Sequence, residues 1–354
     1  MNIREVLSRW YANHKRELPW RDTKDVYKVW LSEVILQQTR VNQGINYYHH
    51  FIQQYPTLGD LARASMDEVL NSWQGLGYYT RARNLHKAAR IIYYECNSQF
   101  PDNYRDLVRL PGIGPYTASA IASFCFGEPV AVVDGNVGRV LARLTGIATA
   151  VNSSQGKKEL AEAARVLIDP YDPATHNQAI MEFGALQCTP KQPDCWSCPM
   201  KDICHAWQHD QVDILPVKAS RAGKRSRYFS YLDIRLNGAF FMHKRDGRDI
   251  WNSLYQFPLI ESQRQITMHE LEQTSKWQHL LAGTRPTVQS ISRVYSHMLT
   301  HQKIQARFIR VDIEQTNRQL TQQYRKINRE DLENMAIPRL IEKYLEPQNY
   351  PKNG

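Results

Sequence analysis

Apolar and polar residues follow two different periods along this 354-residue chain. Through its first part, short segments of helical periodicity are separated by Gly and Pro turns, which predicts an all-α domain in one or two lobes. From 208 to 226 the periodicity lapses, and cationic residues that include Arg221 gather near Pro216. We interpret this stretch as a linker. It would separate a helical domain over 1–207 from a second domain over 227–354.

A period of two begins after the linker. Residues 228–236 alternate between two faces, and Asn237-Gly238 then turns the chain into a second strand that starts at Ala239. This arrangement predicts a β-hairpin. Further strands are predicted near 287–297 and 303–312, and helices near 268–282 and 330–345. The second domain is therefore predicted to be α+β.

The composition of the chain indicates a partner of negative charge. Apolar residues make up 42% of the chain, enough for packed cores, and no run of eighteen apolar residues predicts a membrane span. Lys and Arg number 45 against 35 Asp and Glu, and aromatic and cationic side chains interleave from Tyr78 to Arg90. Both features are typical of nucleic-acid binding, although a solvated helix face would give the same local pattern.

Four of the six cysteines lie in one short stretch with the spacing C-x6-C-x2-C-x5-C, namely Cys188, Cys195, Cys198 and Cys204. The first residues, Met1 to Trp10, lack the apolar core of a signal peptide, so we expect a reducing, cytosolic compartment and a metal site in place of disulfides. Structural zinc usually recruits two separated C-x2-C pairs, and only one is present here. One compact loop of four thiolates favours a [4Fe-4S] cluster. Cys96 and Cys125 are interpreted as core thiols.

A Gly-rich turn joins two predicted helices at Leu110-Pro111-Gly112-Ile113-Gly114-Pro115. Gly112 and Gly114 would let the backbone approach a ligand, and Pro115 suits the first turn of the second helix. The free N–H groups of that turn would bind a phosphate without reading base sequence. An ordinary helix-helix turn is the alternative.

Two carboxylates are candidates for acid-base chemistry. Glu33 has Val29, Trp30 and Leu36 as its helical neighbours, so burial would raise its proton affinity. Asp134 stands at the start of the predicted helix that follows this pair of helices, where N–H groups would keep it ionised. A protonated carboxyl beside a charged one is the pair that glycosidic cleavage requires. A solvent-facing glutamate and a simple N-cap remain the alternatives.

The chain resembles the endonuclease III superfamily of DNA glycosylases and, within it, the adenine DNA glycosylase (MutY-type) family. The resemblance rests on the order of the Gly-rich turn, Val-Asp-Gly-Asn-Val and the four cysteines. It also rests on Pro19-Trp20-Arg21, Glu33 to Val41, Gly75-Leu76-Gly77-Tyr78-Tyr79 and Asn177-Gln178-Ala179. It implies a multidomain fold: an all-α helix-hairpin-helix domain with a [4Fe-4S] loop, followed by an α+β Nudix-like domain.

The resemblance also implies a reaction, the hydrolysis of adenine from duplex DNA in which it is mispaired with 8-oxoguanine or guanine. Glu33 would protonate the adenine and then activate water, and Asp134 would stabilise the sugar cation. Arg21 and Gln178 would shape the adenine pocket together with Tyr116. Strand-cleaving relatives carry a lysine at the position of Tyr116, so hydrolysis without lyase activity is expected.

By the same resemblance, both domains would contact the lesion strand. The implied contacts are Gln38, Thr39, Leu76, Tyr78, Ser296 and His297. Tyr295 and Gln256 depart from the Phe and Glu usual in the family. The Nudix hydrolase signature is absent, so the second domain should read DNA and not hydrolyse nucleotides. A monomer is expected.

Two other functions compete with this one. An endonuclease III-like enzyme acting on oxidised pyrimidines is disfavoured by Tyr116 and by the second domain. A DNA-binding iron-sulfur protein that senses redox state without catalysis is disfavoured because a pure binder needs neither Glu33 nor Asp134.

Overall fold

The computed structural model describes residues 2–220, 223–247 and 249–346. Met1, Arg221 of the predicted linker and residues 347–354 of the predicted second domain lie outside the described residues. The chain divides into two compact units, Met1–Arg63 with Asn84–Arg221 and Ala64–Arg83 with Ala222–Gly354. The boundaries drawn from the sequence stay a prediction, and the assignment of Ala64–Arg83 to the second unit was not anticipated.

The first half of the chain is helical. In chain order its helices are α1 Ile3–His14, α2 Val26–Leu36, α3 Val41–Gln54, α4 Leu58–Arg63, α5 Met66–Ser72, α6 Thr80–Glu95, α7 Tyr104–Leu107, α8 Pro115–Phe126, α9 Gly135–Thr145, α10 Ser154–Leu167, α11 Pro173–Leu186 and α12 His205–Gln208. Side chains of Asn2, Asp25, Ser153 and Asp172 cap helix N-termini by accepting bonds from backbone N–H groups. Helices therefore begin where the polar residues interrupt the apolar periodicity.

The core of the first unit forms where α1, α9 and α11 meet. Leu7 and Trp10 of α1 pack with Val140 and Leu141 of α9 and with Phe183 of α11. By contrast, α2 buries side chains around most of its circumference. A helix that is buried on most sides has no solvent-exposed face for its polar residues, so Glu33 is buried.

The predicted linker is partly anchored to the first unit. Leu215 is buried, and its carbonyl accepts a hydrogen bond from Arg143 Nε at 2.9 Å. The Val151 N–H donates to the Val217 carbonyl at 2.9 Å. The lapse in periodicity thus reflects irregular but packed backbone, and regular structure resumes at Arg225.

The second unit contains the strands. They are β1 Arg225–Leu236, β2 Ala239–Lys244, β3 Tyr255–Gln256, β4 Leu259–Ser262, β5 Thr287–Ile291, β6 Tyr295–Met298, β7 Gln302–Asp312 and β8 Arg325–Ile327. Its later helices are α13 Met268–Glu272, α14 Ser275–Leu281, α15 Arg318–Gln323 and α16 Arg339–Leu345. The strands form one mixed sheet with the order β3-β2-β1-β7-β5; β4 pairs with β1, β6 with β7 and β8 with β2. Only β1 and β7 pair in parallel among the described residues.

The prediction of an all-α part followed by an α+β part is confirmed, and so is the hairpin. Leu236 pairs with Ala239, and Asn237 and Gly238 both adopt positive φ. The alternation along β1 does not leave one face in water, however. Tyr231 packs in one apolar cluster and Leu232 in another, so both faces of the sheet are covered.

Three predicted elements are interrupted. The strand near 287–297 divides into β5 and β6, and the helix near 268–282 divides into α13 and α14. The helix near 330–345 becomes a 3-10 turn at Glu330–Asn334 and α16, because Pro338 stands at the N-cap of α16. Across the described residues, no helix has the length and apolar character needed to cross a bilayer.

The segment Ala64–Arg83 contacts the strand-containing part of its unit through polar groups. Asp67 forms an ion pair with Lys244. Asn71 Nδ2 donates to the Glu333 carbonyl at 3.3 Å, and Arg83 Nη1 donates to the Asn252 carbonyl at 2.7 Å. The second unit is therefore assembled from two separate stretches of chain.

Candidate active site

Glu33 lies on the buried helix α2 and is only 6% exposed. Burial raises its pKa to about 7, against the opposing effects of a hydrogen bond from the Tyr116 hydroxyl and the charge of Arg21; the charge of Asp134 raises it further. Glu33 can therefore be protonated near neutral pH, as a proton donor must be.

Asp134 is the N-cap of α9. Its carboxylate accepts hydrogen bonds from the backbone N–H of Asn136 at 2.8 Å and of Val137 at 2.7 Å, and from Asn136 Nδ2 at 3.1 Å. Burial raises its pKa, while these bonds lower it, and the net direction is upward. The sequence analysis considered only the N–H groups of the helix terminus. Burial also affects the pKa of Asp134, although all three hydrogen bonds favour the charged form.

Tyr116 stands in the first turn of α8 and lines the same cavity as the two carboxylates. Its hydroxyl bonds to Glu33 and contacts Met181 Sδ at 3.9 Å. Burial, followed by the charges of Glu33 and Asp134, raises its pKa well above the ordinary value. Tyr116 is therefore a neutral hydrogen-bond donor and carries no amine that could attack a sugar.

A cavity of about 200 Å³ brings these groups together within the first unit. Its polar lining residues are Arg16, Arg21, Ser32, Glu33, Thr39, Tyr116, Asp134, Asn136, Gln178 and Glu182. Six of the predicted site residues therefore line one cavity: Glu33, Asp134, Tyr116, Arg21, Gln178 and Thr39. Among the described residues, the other predicted contacts do not line this cavity.

Two side chains that the sequence reasoning missed hold residues that line this cavity. Glu182 accepts hydrogen bonds from both Arg16 and Arg21. Tyr11 donates to Gln178 Oε1 at 2.6 Å, and the Arg21 guanidinium lies 5.7 Å from its ring centroid. The available signal was the spacing of Gln178 and Glu182, four residues apart and so on one face of a largely apolar helix.

A chain of hydrogen bonds connects Asp134 with the cysteine loop. Asn136, which holds Asp134, accepts from Arg139 Nη2 at 3.1 Å. Arg139 also donates to the carbonyls of Cys188 at 2.7 Å and Gly184 at 2.6 Å. Gly184 is required at this crossing, because a Cβ there would come within 2.9 Å of the Asn136 backbone.

The Gly-rich turn has the geometry of a helix-hairpin-helix loop. Gly112 has φ near +77°, and a Cβ at this position would meet Asn84 Cβ at 2.6 Å. Gly114 is the N-cap of α8 and supplies no side-chain cap, and Pro115 follows as the first helical residue. The first N–H groups of α8 are therefore not capped by a side chain and suit an anion.

The four cysteines lie between α11 and α12 and carry free thiols. In the part of the chain that is described, no three or more metal-ligating side chains are grouped so that they could hold a metal ion. The surrounding donors nevertheless suit thiolates. Arg143 Nη1 lies 3.4 Å from Cys188 Sγ, the Met200 N–H bonds to Cys198, and the N–H groups of Ala206 and Trp207 bond to Cys204. This donor set fits a thiolate-bound cluster.

The remaining predicted contacts are distributed over both units. In the first unit, Gln38 adopts φ near +58° directly after α2. In the second unit, Leu76 is buried whereas Tyr78 is 49% exposed with φ near +47°. Arg81 fixes this turn by donating to the Leu76 and Gly77 carbonyls at 3.3 Å. Leu76 is thus enclosed in this conformation, and Tyr78 is the accessible side chain of the two.

The second unit also holds the predicted lesion contacts on β6. Ser296 is exposed, and the His297 ring centroid lies 5.7 Å from that of Trp251. Of the two departures from the family, Tyr295 is buried in the apolar cluster beside β7. Gln256 is buried and accepts from Arg245 Nη1 at 2.8 Å.

Known sequence families match both parts of the chain. Residues 31–170 match the HhH-GPD superfamily of base excision DNA repair proteins, and residues 231–347 match the NUDIX domain. The adenine DNA glycosylase of Buchnera aphidicola subsp. Schizaphis graminum is 33% identical over 298 residues, which cover 84% of this chain and 85% of the relative. The adenine DNA glycosylase of Homo sapiens is 45% identical over 230 residues, 62% of this chain and 42% of that longer protein.

Solved structures agree on the fold of the first part. A thermostable thymine-DNA glycosylase has a TM-score of 0.54 at 28% identity and covers 58% of this chain and 95% of its own. An endonuclease III bound non-covalently to DNA has a TM-score of 0.50 at 23% identity and covers 59% of this chain and 96% of its own. The second similarity supports the fold alone.

Proposed function

Because this chain belongs to the adenine DNA glycosylase family and is a DNA glycosylase, we propose that it removes adenine mispaired with 8-oxoguanine or guanine from duplex DNA. The observation that carries this proposal is the shared cavity of Glu33, Tyr116 and Asp134. A carboxyl with a pKa of about 7 stands there beside a carboxylate that accepts three hydrogen bonds.

The proposed reaction begins with extrusion of the adenine from the duplex into the cavity. Glu33 donates its proton to N7 of the base, which turns adenine into a better leaving group as the bond from C1′ to N9 breaks. Asp134 stabilises the positive charge that develops on the sugar. Glu33, now ionised, takes a proton from the attacking water, so the products are an abasic site and free adenine.

Tyr116 supports a hydrolytic outcome without strand cleavage. A lyase needs an amine that forms a Schiff base with the sugar, and the phenol of Tyr116 cannot form one. Its hydrogen bond to Glu33 instead orients the acid. We therefore assign Tyr116 a role in the adenine pocket with Arg21 and Gln178.

The proposed partner is duplex DNA, bound through its phosphates and its lesion. Gly112 and Gly114 would bring the first N–H groups of α8 to a phosphate. Gln38 and Thr39 in the first unit and Leu76, Tyr78, Ser296 and His297 in the second are the proposed lesion contacts. A monomer is the proposed state of the protein.

The cysteine loop is proposed to hold one [4Fe-4S] cluster through Cys188, Cys195, Cys198 and Cys204. The bound cluster would supply a rigid tie across the loop, since four thiolates leave no position for a substrate. Arg143 and the N–H groups of Met200, Ala206 and Trp207 would stabilise the thiolate charge.

Single-turnover cleavage tests this function. With enzyme in excess over a duplex containing adenine opposite 8-oxoguanine, we expect strand breaks after alkali treatment and none without it. A duplex with thymine opposite 8-oxoguanine serves as the control and should stay intact. Breaks without alkali would identify a lyase.

The Glu33→Gln variant separates the catalytic function from DNA binding. We expect adenine release to slow by at least roughly 10²-fold because the proton donor is lost, with binding of the duplex retained. A variant that kept its rate would contradict the assignment of Glu33. Absence of adenine release by the cluster-loaded parent, with binding intact, would favour the non-catalytic DNA binder.

A further inference from the structure

Glu182 of α11 is a buried acid that anchors two arginines beside the candidate active site. Its side chain is 1% exposed. It accepts three hydrogen bonds from Arg16, from the backbone N–H at 2.9 Å, Nε at 2.8 Å and Nη2 at 2.6 Å. It accepts two more from Arg21, from Nη1 at 3.0 Å and Nη2 at 2.7 Å. Five donors therefore converge on one carboxylate.

The charge state of this carboxylate is fixed. Burial acts to raise its pKa, but the hydrogen bonds from Arg16 and Arg21 outweigh burial and bring the pKa to about 2. Two guanidinium charges and one carboxylate charge leave one net positive charge in this wall of the cavity. Glu182 thus neutralises half of the cationic charge without removing the donors.

The two arginines come from a stretch of chain without regular secondary structure. Residues 15–25 between α1 and α2 contain turns and no regular helix or strand. Within that stretch, the Arg21 N–H donates to the Leu18 carbonyl and Arg21 Nη1 to the Arg16 carbonyl, both at 2.9 Å. The contacts to Glu182 attach this stretch to the rigid helix α11.

Arg21 keeps capacity for a ligand. Its side chain makes three of the hydrogen bonds described above, and a guanidinium has five N–H donors. Two donors are therefore left beside the cavity that Arg21 lines. The ring nitrogens of adenine that lie away from the sugar bond are hydrogen-bond acceptors, so their chemistry matches.

We propose that Glu182 is a positioning residue that holds Arg21 in place for the extruded adenine, a role that rests on the proposed function. Arg21 also lowers the pKa of Glu33 through its charge. By fixing Arg21, Glu182 therefore fixes both a base contact and part of the electrostatic environment of the acid. Gln178, one turn earlier on α11, is held by Tyr11 at the same time.

A double-mutant cycle tests this role. Single-turnover rate constants of adenine release are compared for the parent, Glu182→Gln, Arg21→Met and the double variant. We expect each single change to slow release by roughly 10- to 100-fold, because misplacement of a positioned group by about 1 Å has effects of that size. If Glu182 acts on the rate through Arg21, the double variant should be no slower than the slower single variant, because both changes remove the contact between Glu182 and Arg21.

The controls separate positioning from stability. The amplitude of each reaction reports the active fraction and the rate constant reports the chemistry, so a merely structural role lowers only the amplitude. Glu182→Asp keeps the charge and should give a rate between the parent and Glu182→Gln. Glu162→Gln on α10, which removes an exposed ion pair with Arg165, should change neither quantity.

Three results would overturn the proposal: an unchanged rate constant in Glu182→Gln, effects that multiply in the double variant, or no recovery in Glu182→Asp. The pH dependence adds an independent readout, because displacement of Arg21 should raise the apparent pKa of Glu33 in the rate profile. If the parent itself releases no adenine, the proposed function fails before the role of Glu182 is tested. In that case protection of the Arg21 Nη–H groups from exchange, measured by NMR in the parent and in Glu182→Gln, decides whether Glu182 holds Arg21.

Discussion

At the scale of single residues, the behaviour of Glu33 follows from where α2 is buried. Its ordinary pKa lies near 4.5, and in the folded protein it rises to about 7. Between these values, the folded state retains a proton that the unfolded state has lost. Stability from this group is therefore fully present below about pH 4.5 and is lost as the pH rises through about 7.

We predict that Glu33→Gln stabilises the protein at alkaline pH while it slows catalysis. At pH 8 the parent must bury a charge that glutamine lacks, so the variant should be more stable, by up to about 3 kcal/mol. Thermal unfolding of both proteins from pH 4.5 to 8 measures this difference. Glu95→Gln, an exposed position at the end of α6, is the matched control for the substitution itself. A constant difference between parent and Glu33→Gln across the range would contradict the raised pKa.

The sequence alone indicated the candidate catalytic residues but not the side chains that hold them. Glu33 could be placed among Val29, Trp30 and Leu36 by helical spacing, and Asp134 could be placed at a helix start. The pairing of Glu182 with Arg16 and Arg21 could not be predicted, because 161 residues separate Glu182 from Arg21 and no local pattern signals the contact. The contribution of burial to the pKa of Asp134 was likewise not anticipated, since its burial depends on the whole site.

At the scale of elements, the crossing of α9 and α11 holds the candidate active site together. Asn136 of α9 donates a side-chain hydrogen bond to the Asp134 carboxylate. Gly184 of α11 lies against Asn136 and leaves no room for a side chain. Arg139 then joins this crossing to the cysteine loop through the Cys188 carbonyl. The separation of the two helices at this point therefore determines how Asp134 is held.

We predict that Gly184→Ala impairs both stability and catalysis. Its Cβ would lie 2.8 Å from Asn136 Cβ and 2.9 Å from the Asn136 carbonyl, so the helices must move apart, at a cost of about 2 kcal/mol. The rate constant of adenine release should fall with the melting temperature. Gly138→Ala on α9 is the matched control, because its Cβ would come no closer than 3.3 Å to Leu160 Cδ1. Equal effects of the two substitutions would contradict this account.

The elements that were misjudged are all broken within the range predicted for them. The strand near 287–297 and the helices near 268–282 and 330–345 were each predicted as continuous, and each is broken in the structure. Pro338 marks one of these breaks in the sequence, and Thr274 marks another as the N-cap of α14, where its side chain accepts a hydrogen bond from the Trp277 N–H. No Gly or Pro marks the break between β5 and β6. Short elements of a mixed sheet carry little periodicity of their own.

At the scale of the whole molecule, charge dominates the expected interaction with DNA. The formal net charge is +10, and the Gly-rich turn offers backbone N–H groups to phosphates. Attraction by net charge and hydrogen bonds from backbone N–H groups to phosphates are both independent of base sequence. Attraction to the duplex should therefore be shared by matched and mispaired DNA.

We predict that duplex binding weakens by at least about tenfold between 50 and 200 mM salt, because bound cations are released from the DNA. The slope of log Kd against log salt should be the same for a matched duplex and for one with adenine opposite 8-oxoguanine. Fluorescence anisotropy with Glu33→Gln measures both without cleavage. A flat dependence on salt would contradict a phosphate-based interaction, and a slope seen only with the mispair would contradict its independence of sequence.

The discontinuous second unit has a consequence for biosynthesis. Ala64–Arg83 leaves the ribosome about 140 residues before Ala222, and at ordinary elongation rates the interval is roughly 7 to 28 s. Throughout that interval Asp67, Asn71 and Arg83 are present while Lys244, Glu333 and Asn252 have yet to be translated. The second unit therefore completes only after translation passes its last strands, and nascent chains that stall earlier carry a segment without its partners.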